Sequence, residues 1–244
     1  MGKSARIVIQ LLHGLVHFHR LGAPGPNASA GVLKARALKL NRLCVALLDH
    51  IQVRHSVRGV LPETGLLVTN HVSFLDIIFL GALKPMLFVS KAEVASWPLV
   101  GHIASSAGTL YVERSRRTDV SRVNAALRRA LEAEVLVTLF PEGTSSDGSS
   151  VLPFQASLLQ PAVDVGAQVT PGHLEYTGAD KTRADDIAYF GERNLGPCML
   201  ALLKRRETFA TLRCAPPMDS SAGRKTLAPA LHAEVVRLSR ERRP

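Results

Sequence analysis

Four short apolar runs, at residues 66–69, 87–90, 109–112 and 135–140, alternate along the middle of the chain with helical patterns at 74–83 and 120–133. Runs of that length bounded by turn residues read as strands, and strands that alternate with helices build an α/β sheet. Later segments at 168–176 and 207–214 add candidate strands, and a helical pattern over 224–240 closes the chain. The expected fold is therefore α/β, a central mixed sheet flanked by helices. In open sheets of this class, functional groups gather where strands end, and His71 directly follows the run at 66–69.

The region before the sheet has a different character. Residues 5–20 carry Ile7, Val8, Leu11, Leu12, Leu15 and Phe18 on one side of a helix, with Gln10, His13 and His17 on the other. This helix is too short and too polar to span a bilayer; lying in the interface is the preferred reading, with docking on the protein surface as the alternative. A turn-rich hinge, "GAPGPNASAG" at 22–31, leads to a second helical pattern from Val32 to about His50 with Lys34, Arg36, Lys39 and Arg42 along it. The organisation expected is a membrane-associating helical hairpin over 1–50 and an α/β domain over 51–244.

The net charge of +10 is unevenly spread. Residues 1–58 hold nine Lys/Arg against one acid and residues 204–244 ten against four, whereas 134–203 hold three against nine. Basic charge that accompanies apolar sequence suits an anionic membrane surface. Aromatic residues make up only 5% of the chain and no nucleic-acid-binding motif is visible, so nucleic acid is not an expected partner. Cys44, Cys198 and Cys214 lie far apart without metal or haem spacing, which points to a reducing compartment. The amino terminus ends its apolar stretch in His17-Phe18-His19-Arg20 and lacks a small-residue cleavage site. Together these place the protein on the cytoplasmic face of the inner membrane, peripheral or monotopic.

Familiar nucleophile and phosphate-binding signatures are missing: there is no G-x-S-x-G, no H-E-x-x-H, and Gly2-Lys3-Ser4 lacks the upstream glycine of a P-loop. His13 and His17 stand at i, i+4 but have no other ligand nearby, and belong to a polar helix face. "NHVSFLDII" at 70–78 is more informative. Ser73 and Asp76 spell an S-x-x-D capping box before an apolar helix. The same stretch also places Asp76 where it can fold back to His71, fix its tautomer and stabilise its imidazolium. On spacing alone both readings stay open. "LFPEGTSSDGSSVLPF" at 139–154, again after an apolar run, adds Glu142 beside glycine amides and hydroxyls; as a bare Pro-Glu-Gly-Thr stretch it also makes a plain turn.

N-H-x-x-x-x-D at 70–76 followed by F-P-E-G-T at 140–144, with "GTLYVER" at 108–114 between them and "VTPGHLEY" at 169–176 after them, resembles the 1-acyl-glycerol-3-phosphate acyltransferase family. The resemblance covers roughly residues 60–180. It implies transfer of an acyl chain from acyl-CoA or acyl-carrier protein to the hydroxyl of a lyso-lipid, with His71 as general base and Asp76 orienting it. Arg114, Glu142, Gly143 and Thr144 would position the acceptor. No metal or cofactor is implied, because a thioester is already activated.

The leading acceptor on this resemblance is 1-acyl-sn-glycerol-3-phosphate. Two departures bear on it. Many family members continue F-P-E-G-T with arginine where this chain has Ser145, and Gly172-His173 replaces an apolar pair after Pro171. Loss of a bidentate cation agrees with a phosphate-free head group, as in lyso-ornithine lipid, the alternative acceptor. A non-catalytic membrane-binding protein on the same scaffold is the alternative of another class.

Overall fold

The computed structural model describes residues 28–91, 101, 104, 109–112 and 117–241, with backbone alone at 91, 111, 112 and 117–122. Seven strands appear among these residues: β1 (Val53–Arg58), β2 (Leu66–Thr69), β3 (Met86–Lys91), β4 (Leu110–Val112), β5 (Leu136–Leu139), β6 (Val169–Thr177) and β7 (Thr208–Cys214). They form one sheet in the order β1-β7-β6-β2-β5-β3-β4. Neighbours are parallel except β6 and β7, so the sheet is mixed, as expected, with β1 and β7 running against the other five. Six helices with described bounds accompany it: α1 (Ala30–Ile51), α2 (Leu75–Leu83), α3 (Arg117–Glu132), α4 (Gln160–Asp164), α5 (Leu195–Lys204) and α6 (Arg224–Ser239).

The apolar strands are covered on both faces, which is why they read as continuous runs. On one face Leu67, Met86, Phe88, Leu136, Leu174 and Leu212 meet Leu43 and Leu47 of α1 and Phe79 and Leu80 of α2. On the other, Leu66, Val68, Leu87, Val137 and Leu139 meet Val123 and Leu127 of α3 and Leu227 and Leu231 of α6. Successive residues of β2 alternate between these clusters, as the period of two requires.

Helix α1 covers the second pattern seen in the sequence, but its packing differs from the membrane-facing hairpin expected there. Ser29 caps it by accepting from the Val32 amide, and Leu33, Ala37, Leu40, Leu43, Cys44, Leu47, Leu48 and Ile51 are all buried. Burying these eight apolar side chains contributes on the order of 10 kcal/mol, comparable to the whole net stability of a domain. The approach to α2 is close: a Cβ added at Gly81 would stand 2.7 Å from Cys44 Sγ. Asn41 donates to the Gly81 and Ala82 carbonyls, satisfying the end of α2. Helix α1 is thus part of the α/β core, and residue 50 marks no packing boundary. Its exposed line carries Lys34, Leu38, Arg42 and Val45. The helix expected over 5–20 lies outside the described residues. Among those described, no helix is long and apolar enough to cross a membrane.

Strand β1 and helix α5 carry no sequence expectation. "VRHSVR" is an edge strand with four of its six residues exposed, held by pairing with β7 and not by apolar side chains. Helix α5 buries only Cys198 and Leu202 and opens on a Gly-Pro pair, which reads as a turn.

Candidate active site

The chain leaves β2 at Thr69 and is steered at once by Asn70, which is buried. Its amide oxygen accepts from the Leu174 amide at 2.7 Å and its amide nitrogen donates to the Leu174 carbonyl at 3.0 Å. This side chain extends the pairing with β6 one residue past the end of β2, and so fixes where His71 emerges. A tight turn follows, closed by the Asp76 amide donating to the Ser73 carbonyl at 3.1 Å.

Asp76 lies in the first turn of α2 and is fully buried. Its Oδ2 accepts from the Val72 amide at 2.8 Å and the Ser73 amide at 3.1 Å, and stands 2.6 Å from His71 Nδ1. Its Oδ1 accepts from the Tyr176 hydroxyl at 2.6 Å. The capping box is therefore made in one direction, carboxylate to Ser73 amide. The Ser73 hydroxyl accepts from the Leu75 amide at 3.3 Å and donates to the Ile187 carbonyl at 2.6 Å. One carboxylate both starts the helix and holds the histidine. The hydrogen bond at Nδ1 sets the tautomer, leaving Nε2 as the free acceptor of a neutral ring whose side chain is 23% exposed. Phe140 stacks on the ring, centroids 4.2 Å apart and planes 19° apart, and fixes the remaining torsion.

Because β5 is the parallel neighbour of β2, the loop that leaves it reaches the same sheet edge. Gly143, at φ +78°, donates to the Phe140 carbonyl at 3.1 Å and turns the chain. Ser146 then donates its amide to the His71 carbonyl at 2.8 Å, joining the two motifs through the backbone. Gly148, at φ +74°, passes so close to Val72 that a Cβ would meet Cγ2 at 3.2 Å.

Glu142 is only 4% exposed. Its Oε1 accepts from the Leu152 amide at 3.3 Å, while Oε2 is buried without a hydrogen-bond partner. Burial pushes this carboxyl up to about 8, against the opposing pull of the Leu152 and His71 amides and with a small further push from Asp76. At neutral pH most of it is protonated, so it can donate a hydrogen bond where an ionised carboxylate could only accept.

Of the residues singled out in the sequence, His71, Asp76, Glu142 and Gly143 belong to one assembly at the ends of β2 and β5. Thr144 is exposed on the same loop, its hydroxyl 3.5 Å from the Ser145 carbonyl. Arg114 lies outside the described residues. The sequence reading did not single out Asn70, Phe140, Ser146 or Tyr176. A tyrosine in the same strand as the altered fourth block was visible, but its hydroxyl meets Asp76 only because β6 lies beside β2. Among the described residues, no cluster of three or more His, Cys, Asp or Glu side chains offers a metal-binding set.

A family model described as Acyltransferase matches residues 50–174, which span both motifs and the strands that present them. The chain belongs to the acyltransferase family. The 1-acyl-sn-glycerol-3-phosphate acyltransferase of Neisseria gonorrhoeae is 40% identical over 115 residues, 47% of this chain and 45% of that protein. The chain thus spans under half the length of that relative in the match. The lyso-ornithine lipid O-acyltransferase of Rhodobacter capsulatus is 35% identical over 205 residues, 80% of this chain and 72% of that one. Among solved structures, the 1-acyl-sn-glycerophosphate acyltransferase of Thermotoga maritima superimposes with a TM-score of 0.63 at 18% identity, over 99% of this chain and all of that one. That likeness shows the fold shared with an acyltransferase.

Proposed function

We propose that this acyltransferase moves a fatty acyl chain from an acyl-CoA or acyl-carrier-protein thioester to the free hydroxyl of a lyso-lipid, with His71 as general base. The contact that carries the reading is the 2.6 Å hydrogen bond between His71 Nδ1 and a buried carboxylate. With Nδ1 committed, Nε2 takes the proton of the acceptor hydroxyl as its oxygen attacks the thioester carbonyl. The imidazolium formed is stabilised by Asp76. Collapse of the tetrahedral intermediate breaks the carbon–sulfur bond, and the departing thiolate recovers the proton from His71. Every atom is accounted for without a covalent enzyme intermediate, metal or cofactor.

Glu142, Gly143, Thr144 and Arg114 are assigned to the acceptor, with protonated Glu142 as a hydrogen-bond donor. The motif set favours 1-acyl-sn-glycerol-3-phosphate as acceptor, giving phosphatidic acid. Ser145, in place of the arginine found in many family members, favours lyso-ornithine lipid instead. The longer match to the Rhodobacter capsulatus protein supports that second acceptor. The lipid substrate calls for work at an anionic membrane surface on the cytoplasmic face, to which the basic amino-terminal region would contribute.

The test is His71→Ala in protein shown to be folded, assayed for thiol release from an acyl thioester in the presence of lyso-lipid. Loss of transfer by at least about a hundredfold, the lower range for removing a general base, is expected. Unchanged transfer would overturn the general-base reading. A wild-type protein that binds lipid but transfers no acyl chain would establish the non-catalytic alternative.

A further inference from the structure

A cavity of about 190 Å³ opens beside the histidine turn, lined among others by Val72, Asp147, His173, Glu175 and Arg183. Its position follows from contacts already described. Val72 is the residue after His71, and the segment beginning at Asp147 follows Ser146, which is bonded to the His71 carbonyl. The cavity is smaller than the ~300–1,000 Å³ of sites that hold drug-sized ligands, so it suits a small polar group.

Its charges are arranged in an unusual way. Glu175 is neutralised by Arg213, which is almost fully buried and donates to it at 2.8 Å. Arg213 also donates towards His173 Nδ1 at 3.4 Å, which leaves His173 with its proton on Nε2, a donor. Burial, helped by Arg213, lowers His173 to about 4, so the ring is neutral at physiological pH. Arg183 is paired with Asp185. Asp147 is the carboxylate of the lining without an ion pair. Its Oδ1 accepts from the Ser149 amide and hydroxyl, at 2.8 and 2.6 Å, which hold it ionised, while Oδ2 takes no hydrogen bond from the described residues. Asp147 and Arg183 feel one another's charge across the cavity without closing an ion pair. Ser239, at the carboxyl-terminal end of α6, also lines the cavity, and a helix end of that polarity favours a cation.

We propose that this cavity is the head-group subsite of the acceptor and that it takes an amino-acid head group, with its ammonium at Asp147 and its carboxylate at Arg183. The proposal deepens the acyl-transfer reading and rests on it. A phosphate monoester would bring negative charge against the unpaired Asp147 and the end of α6, whereas a zwitterion meets Asp147 with its ammonium and, with its carboxylate, the Nη1 of Arg183, which Asp185 does not engage. The altered fourth block belongs to the same device. Gly172 is packed so tightly that a Cβ would meet Thr69 Cγ2 at 3.0 Å, and His173 next to it supplies a neutral donor where an apolar residue would supply none.

The test compares a short-chain N-acyl ornithine with a short-chain lysophosphatidate by titration calorimetry, on the full chain and on Asp147→Asn. The asparagine retains an oxygen for the Ser149 bonds, so the loop is preserved. Wild type is expected to bind the ornithine compound more tightly, and Asp147→Asn to lower that preference about tenfold, the size of one charge-assisted hydrogen bond at a partly exposed site. Preference for lysophosphatidate in wild type, or an unchanged preference in the variant, would overturn the proposal. Acyl transfer by wild type to each lyso-lipid separates the two readings. Transfer to lysophosphatidate alone would leave the acyltransferase reading standing and sink this one. Transfer to neither would sink the acyltransferase reading and, with it, the assignment of this cavity to an acceptor.

Discussion

Replacing Asp76 with asparagine separates the two jobs of that carboxylate. With its amide oxygen turned towards His71, asparagine can still accept from Val72, Ser73 and His71, and its NH2 can donate to the Tyr176 oxygen in place of the bond now received at 2.6 Å. All four contacts survive in kind, and the loss in stability is that of replacing charge-assisted with neutral hydrogen bonds, about 1–2 kcal/mol. What disappears is the negative charge beside the imidazolium. Two charges with centres about 4 Å apart at an effective dielectric of about 20 attract by about 4 kcal/mol, which corresponds to roughly a thousandfold in rate. Denaturant unfolding and thiol release from an acyl thioester, measured on the same preparation, read the two quantities separately. A folded Asp76→Asn protein within threefold of the wild-type rate would show that Asp76 is a helix cap and no more. A stability loss above about 4 kcal/mol would show that the amide cannot adopt the orientation argued here.

Two further outcomes follow from neighbouring groups. Tyr176→Phe leaves Asp76 Oδ1 buried without the one donor it has among the described residues, at a cost of about 1.5–3 kcal/mol in stability. Urea unfolding reads that loss, and an unchanged stability would argue against the bond between the tyrosine and the buried carboxylate. Glu142 has a folded value of about 8 against an ordinary 4.5, so the unfolded chain releases its proton first as pH rises. Stability should fall between about pH 4.5 and 8 and then level off, by at most about 5 kcal/mol at 1.36 kcal/mol per unit. Urea unfolding of Glu142→Gln should lack this fall, and parallel curves for the two proteins would refute the buried-acid assignment.

The elements that could be read from the sequence are those whose side chains carry their own pattern. Strands β2, β3 and β5 are apolar because both faces of the sheet are covered, and α2 and α3 have a visible apolar side. Strand β1 could not be read, since an edge strand is held by backbone hydrogen bonds that leave no trace in residue type. Helix α1 is legible as a helix but its packing is not: a basic, apolar helix carries no mark that tells a lipid surface from a protein core, and the contacts of Leu40, Cys44 and Leu47 place its apolar side on the core.

The site divides along the same line. His71 and Asp76 were legible because both lie within one short strand-to-helix connection, so local geometry alone brings them together. Glu142 was legible only through the resemblance, since nothing in a Pro-Glu-Gly-Thr turn says which strand it lies beside. The order β6-β2-β5 supplies what is missing. It sets β2 between two parallel neighbours, so the carboxyl-terminal ends of all three strands converge: β5 delivers Phe140, Glu142 and Ser146 to one side of His71, and β6 delivers Tyr176 to Asp76 on the other. The histidine is thereby held by groups from three strands, and a substitution in any one of them reaches it through a single side chain or a single backbone hydrogen bond. Residues such as Asn70 and Tyr176, which act only through that convergence, have no local signature and become visible only when the strand order is known.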